Sequence, residues 1–96
     1  MSELVKIVRV LGYYRDASFL EMLVANFRKL LIDIEWIYGR RLNEATGLYE
    51  VYLGLRDHPN LSISLANLSK LVGIEGFEVL GETIVECKAE NPLAKL

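Results

Sequence analysis

Between residues 4 and 12 the chain reads Leu-Val-Lys-Ile-Val-Arg-Val-Leu-Gly, a β-branched run interrupted only by Lys6 and Arg9. Such a run predicts a first strand. Beyond a polar stretch, Phe19, Met22, Leu23, Phe27, Leu30 and Leu31 recur at three- and four-residue intervals, with Glu21, Arg28 and Lys29 off that stripe. This spacing predicts an amphipathic helix that ends near Leu31. Its start carries Ser18-Phe-Leu-Glu21, a capping-box pattern in which the Ser18 hydroxyl accepts a helix N–H and the Glu21 side chain reaches back; Asp16 is a rival cap. From residue 32 to 42 the period changes to two, with Ile34, Trp36, Tyr38, Arg40 and Leu42 alternating as in a second strand. Asn43-Glu-Ala-Thr-Gly47 supplies turn formers and a glycine able to take positive φ, so residues 48–55 form a third strand in a hairpin with the second. Pro59 and Asn60 open a second helix with apolar positions Leu61, Leu65, Leu68, Leu71 and Val72, and Gly73 stands at the C′ position. A turn over 73–76 leads into a fourth strand over 77–85.

The order βαββαβ is that of an α+β, ferredoxin-like domain: a four-stranded antiparallel sheet with two helices on one face. It occupies residues 1–86, and 87–96 are expected to form a C-terminal tail. Among 96 residues 52% are hydrophobic, which in so short a chain implies either a dense core or a subunit interface. A homodimer or higher oligomer is therefore expected. Eleven Lys and Arg against 13 Asp and Glu leave a net charge of −2, too little field to hold a polyanion. The single cysteine, Cys87, permits neither an internal disulfide nor a cysteine metal cluster and fits a reducing compartment, so the cytoplasm is the expected location. No apolar run approaches the ~18 residues that span a bilayer, and no membrane association is expected.

Candidate chemistry is sparse. His58, the sole histidine, lies in the polar loop 56–60 with no serine or cysteine in a nucleophile setting, and a solvated loop histidine is the simpler reading. Glu82 with Glu86, or Glu35 with Glu50, could be neighbours on a sheet, but on a small acidic domain such carboxylates read as solvated face. Gly73-x-x-Gly76 follows a helix instead of opening one, so it does not build a phosphate cradle. No catalytic residue, metal site or cofactor is expected. Arg9, Arg15, Arg40, Arg41 and Arg56 with Tyr49 and Tyr52 leave open a small ferredoxin-like RNA-binding protein, against which stand the acidic balance and the missing aromatic-glycine signature. Otherwise Tyr49 packs inward, Tyr52 faces a subunit partner, and Trp36 and Tyr38 share a strand face in the core or a dimer contact.

Two stretches resemble a known family. Between the first strand and first helix, ACT domains commonly show Asp or Asn, any residue, Pro, Gly, any residue, Leu; here Arg15-Asp16-Ala17-Ser18-Phe19-Leu20 stands there. Entering the second strand, Asp33-Ile34-Glu35-Trp36-Ile37 resembles the Asn-Ile-Glu-Ser-Leu of the regulatory small subunits of acetolactate synthase. The resemblance implies a non-catalytic regulatory ACT domain that controls a catalytic large subunit in branched-chain amino-acid synthesis, the thiamine diphosphate chemistry belonging to that partner. It further implies an amino-acid effector between Asp16, Ala17, Ser18, Phe19 and Leu20 of one subunit and Asp33 and Ile34 of its neighbour. A helix N-terminus favours a carboxylate, and Asp33 an ammonium group. An ACT-type module that senses another amino acid, or only mediates assembly, remains an alternative.

Overall fold

The computed structural model describes residues 2–86; the expected tail with Cys87 lies outside the described residues. Six elements follow in the predicted order: β1 (Ser2–Tyr13), α1 (Ser18–Arg28), β2 (Ile34–Asn43), β3 (Leu48–Arg56), α2 (Leu61–Leu68) and β4 (Ile74–Glu86). The strands form one antiparallel sheet in the order β2-β3-β1-β4. The architecture is the ferredoxin-like arrangement expected from the pattern. With extents of 44 × 34 × 21 Å the molecule is only two layers thick, and its helices cover one face of the sheet.

Residues opposite one another in an antiparallel pair share a side, so the register sorts the side chains. Val8 and Val10 of β1 oppose Leu53 and Val51 of β3, and all four are fully buried beneath Leu23 and Phe27 of α1 and Leu61 and Leu68 of α2. The opposite face holds Ile7, Arg9 and Leu11 of β1, which oppose Gly54, Tyr52 and Glu50 of β3. Across β3 these meet Trp36, Tyr38 and Arg40 of β2, and across β1 Gly81, Glu78 and Gly76 of β4. Tyr49 turns inward as predicted, stacked on Tyr14 at 4.8 Å.

Several boundaries differ for physical reasons. Expected to end near Leu31, α1 stops at Arg28: Leu31 takes φ 65°, the Leu31 N–H donates to the Arg28 carbonyl, and the Ile32 N–H donates to the Phe27 carbonyl. That is a Schellman closure with a leucine where glycine is usual. It throws Leu31, placed on the buried stripe by its spacing, out to 74% exposure and buries Ile32 instead. A leucine at φ > 0 costs ~1–2 kcal/mol, against ~0.5–1 kcal/mol of extra chain entropy for glycine. Leu31→Gly is therefore expected to stabilise the fold by about 0.5 kcal/mol, read as a raised midpoint in urea at unchanged slope.

The second helix also ends early, at Leu68, in tighter turns through Lys70, Leu71 and Ile74, so Val72 is 89% exposed and not on its apolar face. Gly73, at φ 87°, closes the passage as expected. Beginning at Ile74, β4 takes Gly76 into the strand opposite Leu11, where a turn was expected. In β2 the register slips between Ile34 and Trp36, so the predicted alternation does not begin at Ile34: that residue joins the core side, while Trp36, 39% exposed, and Tyr38, 58% exposed, lie on the open face and not in the core.

Candidate effector-binding site

The turn between β1 and α1 is held by backbone from two other loops. The Tyr13 N–H donates to the Gly73 carbonyl at 2.9 Å and the Tyr14 N–H to the Gly47 carbonyl at 2.9 Å. Gly47, at φ 78°, lies in a hairpin where the Asn43 side chain accepts from the Ala45 and Thr46 N–H groups, as the turn formers predicted. Together these loops frame a cavity of about 600 Å³, with Tyr13, Tyr14, Phe19, Met22 and Val72 as its apolar lining and Arg15, Ser18 and Thr46 as its polar lining. Arg41 lies 5.5 Å over the Tyr14 ring behind it.

Of the residues placed here by sequence, Ser18 and Phe19 line the cavity. Phe19 is 5% exposed, edge-on to Tyr14 and Tyr49, so it is also core. Ala17 is the N-cap, and the capping box does not form: Ser18 is the first helical residue, and its N–H donates to the Asp16 carboxylate at 2.8 Å. Neither expected cap forms: Asp16 stands one residue before the N-cap, and its carboxylate instead closes a local turn by accepting the Ser18 N–H. Hydrogen bonds from the side chain and backbone of Ser18 hold the Asp16 carboxyl below its ordinary range. Leu20 points elsewhere, into a groove of about 580 Å³ with Val24, Ala25, Arg28 and Ile37 beside β2.

Asp33 and Ile34 stand at the other end of α1. Its 11 residues, at ~1.5 Å each, put about 16 Å between the two groups, so one subunit does not bring them together. Asp33 lines cavities of about 420 and 410 Å³ on either side of Leu31, one with Ile34 and Arg28, the other with Arg56, Asp57 and His58. The Asp33 carbonyl accepts from the Arg56 N–H at 3.0 Å, and Asp33 is exposed beyond the negative end of the α1 dipole, a setting that favours a cation. His58 is half-buried and accepts the Asn60 N–H at Nδ1, and the Asn60 side chain donates to the Leu30 carbonyl, tying α2 to the end of α1.

A second polar group, not anticipated from sequence, sits on the open sheet face. Glu50 was expected on a solvated face beside Glu35. It is 2% exposed, and its carboxylate accepts from Arg9 Nε at 2.5 Å and Arg40 Nε at 2.9 Å, while Arg9 Nη1 reaches Glu78 at 3.2 Å. Glu35 pairs with Arg56 instead. Burial alone would push the Glu50 carboxyl up, but hydrogen bonds from Arg40 and Arg9, reinforced by their charges, outweigh it and hold the group below its ordinary value of 4.5. The Glu50 contribution to stability is thus complete above that range and is lost as pH falls through the depressed folded value. Urea titrations between pH 7 and about 3 are expected to show a steep acid loss that Glu50→Gln flattens. Only knowledge of the register could have revealed this group, since Arg9 and Glu50 are 41 residues apart.

Among the described residues no group of three or more His, Cys, Asp or Glu is placed to hold a metal ion, and no helix is long and apolar enough to cross a membrane. No protein-family model matches the chain, and no curated protein matches it in sequence. Solved structures do. The ACT domain of GTP pyrophosphokinase from Chlorobium tepidum superposes with a TM-score of 0.64 at 17% identity, over 83% of this chain and 100% of that one. The fold is of the ACT type. Prephenate dehydratases from Staphylococcus aureus and Streptococcus mutans match the ACT-type domain at TM-scores of 0.66 and 0.63 with 16% and 25% identity, over 84% and 88% of this chain. The chain spans 30% and 45% of those two enzymes. No acetolactate synthase subunit is among these three.

Proposed function

We propose that this ACT-type domain is a non-catalytic regulatory module whose effector site is completed only between two copies. The observation that carries this reading is the separation of the two half-sites: the β1–α1 cavity and Asp33 lie at opposite ends of α1, so a ligand touching both must bridge subunits. The outer edge of β2 supports such a neighbour. Among the described residues that strand pairs with β3 alone, and beside it Val24, 37% exposed, and Ile37, 43% exposed, border the groove that contains Leu20. An unpaired edge flanked by apolar surface favours a second strand. An amino acid suits the two ends chemically, its ammonium at Asp33 and its side chain against the apolar lining of the β1–α1 cavity. An effector that prefers one arrangement of the pair shifts a bound catalytic subunit by that difference in affinity.

For the partner, the stretch Asp33–Ile37 favours the large subunit of acetolactate synthase, with branched-chain amino acids as effectors. The test is reconstitution: the purified chain is added to that catalytic subunit from the same genome, and synthase activity is assayed with and without valine. Stimulation by the chain, relieved by valine, supports the reading; no stimulation and no co-sedimentation with that subunit would overturn it as the partner.

The effector's carboxylate meets an obstacle. The N–H groups of the first turn of α1 are engaged, Ser18 by the Asp16 carboxylate, Phe19 by the Asp16 carbonyl, and Leu20 and Glu21 by the Ala17 carbonyl. Valine, leucine and isoleucine are expected to bind with dissociation constants of about 1 mM or weaker, equivalent to about −4 kcal/mol. Asp16→Ala, by freeing the Ser18 N–H and removing a like charge, is expected to tighten binding several-fold in calorimetric titration. Micromolar binding to the unmodified protein would show that Asp16 yields to the ligand.

A further inference from the structure

We infer that the open face of the sheet is a second self-association surface, on which two copies pack face to face with β2 of each over β4 of the other. This surface is separate from the β2 edge and from both half-sites. No helix or strand among the described residues covers it, in a molecule 21 Å thick. Four strands at ~4.8 Å spacing and about ten residues at ~3.3 Å make a patch of the order of 600 Å² in projection, close to the ~800 Å² of accessible surface each partner contributes to a standard interface.

The face is uneven in a way that matches itself. Along β2 it carries large side chains, Trp36 at 39% and Tyr38 at 58% exposure. Along β4, at the opposite edge, it carries Gly76 and Gly81 on either side of Glu78, and an added Cβ at either glycine would meet no atom of the described residues within 4 Å. A two-fold axis parallel to the strands maps β2 onto β4 and β3 onto β1, so row by row Trp36 of each copy faces Gly81 of the other, Tyr38 faces Glu78 and Arg40 faces Gly76. An isologous contact requires that reciprocity. The axis also keeps strands aligned, as face-packed sheets prefer.

Charge follows the same mapping. Arg40 on β2 and Glu78 on β4 have side chains 58% and 57% exposed and opposite in sign. The axis sets Glu78 of one copy against Tyr38 and Arg40 of the other. At the centre Arg9 and Glu50 neutralise each other within a subunit, so closing the face strands no central charge.

The experiment uses the full chain in sedimentation equilibrium, together with emission from Trp36, the only tryptophan. On dilution through the micromolar range the wild type is expected to dissociate, with Trp36 emission moving to the red as the face is wetted. Tyr38→Glu, which sets two carboxylates together, should weaken this association about tenfold or more and halve the mass, whereas Tyr38→Arg should weaken it far less. Circular dichroism of each variant checks that it is folded before the masses are compared. Gly81→Arg, which fills the trough where the monomer has open space, should act like Tyr38→Glu. Ile63→Glu, 54% exposed on α2, should leave the mass unchanged. A wild type that is monomeric throughout, or equal loss with either charge at position 38, overturns the proposal. Pairing at the β2 edge alone would give a dimer that both Tyr38→Glu and Gly81→Arg leave intact with Trp36 emission unmoved, which also overturns it and leaves the effector reading standing.

Discussion

Replacing Phe27 by alanine is expected to remove ~3–5 kcal/mol of folding free energy, the range for truncating a buried aromatic. Its ring is 0% exposed and lies on the underside of α1, packed into the cluster formed by Leu23, Val8, Val51, Leu53 and Leu68. With one helix layer on one sheet, little alternative packing exists to collapse into the void, so the cavity persists. A 96-residue domain has a total stability of about 5–14 kcal/mol at the usual per-residue margin, so this one change consumes a large fraction of it. Urea denaturation measures the loss. A cost below about 1 kcal/mol would mean that α1 presents another face to the sheet, whereas Leu31→Ala should be near neutral because Leu31 is 74% exposed.

The second large effect concerns Gly12, which is buried where β1 passes beneath the start of α1. A Cβ there would stand 2.7 Å from the Gly73 carbonyl oxygen and 2.7 Å from the Phe19 ring. Neither neighbour yields easily: the first is backbone that also accepts the Tyr13 N–H, and the second is a core aromatic held by Tyr14 and Tyr49. Gly12→Ala should therefore cost ~2–3 kcal/mol, the upper part of the range for overpacking. Because the strain falls on the β1–α1 turn, it should also distort the cavity lined by Phe19 and Gly73. Gly81→Ala is the matched comparison, with nothing near its added methyl, and is expected to be neutral or to stabilise by about 0.5 kcal/mol. Thermal and urea unfolding of the two variants side by side checks the contrast.

Element order was legible in the chain because each segment's apolar period, two for strands and near 3.6 for helices, is a local property. The turn glycines were legible for the same reason: Gly47 and Gly73 follow runs that must reverse, and both take positive φ. Helix ends were less so. Leu31 satisfies the stripe of α1 by spacing, yet the helix ends at Arg28, three residues short of it, because burying Ile32 and starting β2 against β3 outweighs continuing the helix. Likewise the alternation through Trp36, Tyr38 and Arg40 was visible, but the slip that removes Ile34 from it belongs to pairing with β3.

The candidate effector site divides along the same line. Local sequence brought out Asp16, Ser18 and Phe19 at one turn and Asp33 and Ile34 at another, since each group is contiguous in the chain. It also showed both Asp16 and Ser18 as possible caps; only the folded geometry decided that the Asp16 carboxylate takes the Ser18 N–H. That the two groups stand about 16 Å apart, and that the β1–α1 cavity draws Thr46 and Val72 from other loops, follows from packing. By itself the sequence determined the βαββαβ order, the amphipathic stripe around Phe27 and the turns that join the elements, all products of short-range periodicity. The tertiary structure alone decided the pairing of Arg9 and Arg40 on a buried Glu50, the seat of Trp36 over Gly54, and the sheet face that no described helix covers. These depend on the register between strands distant in sequence, which no local pattern encodes.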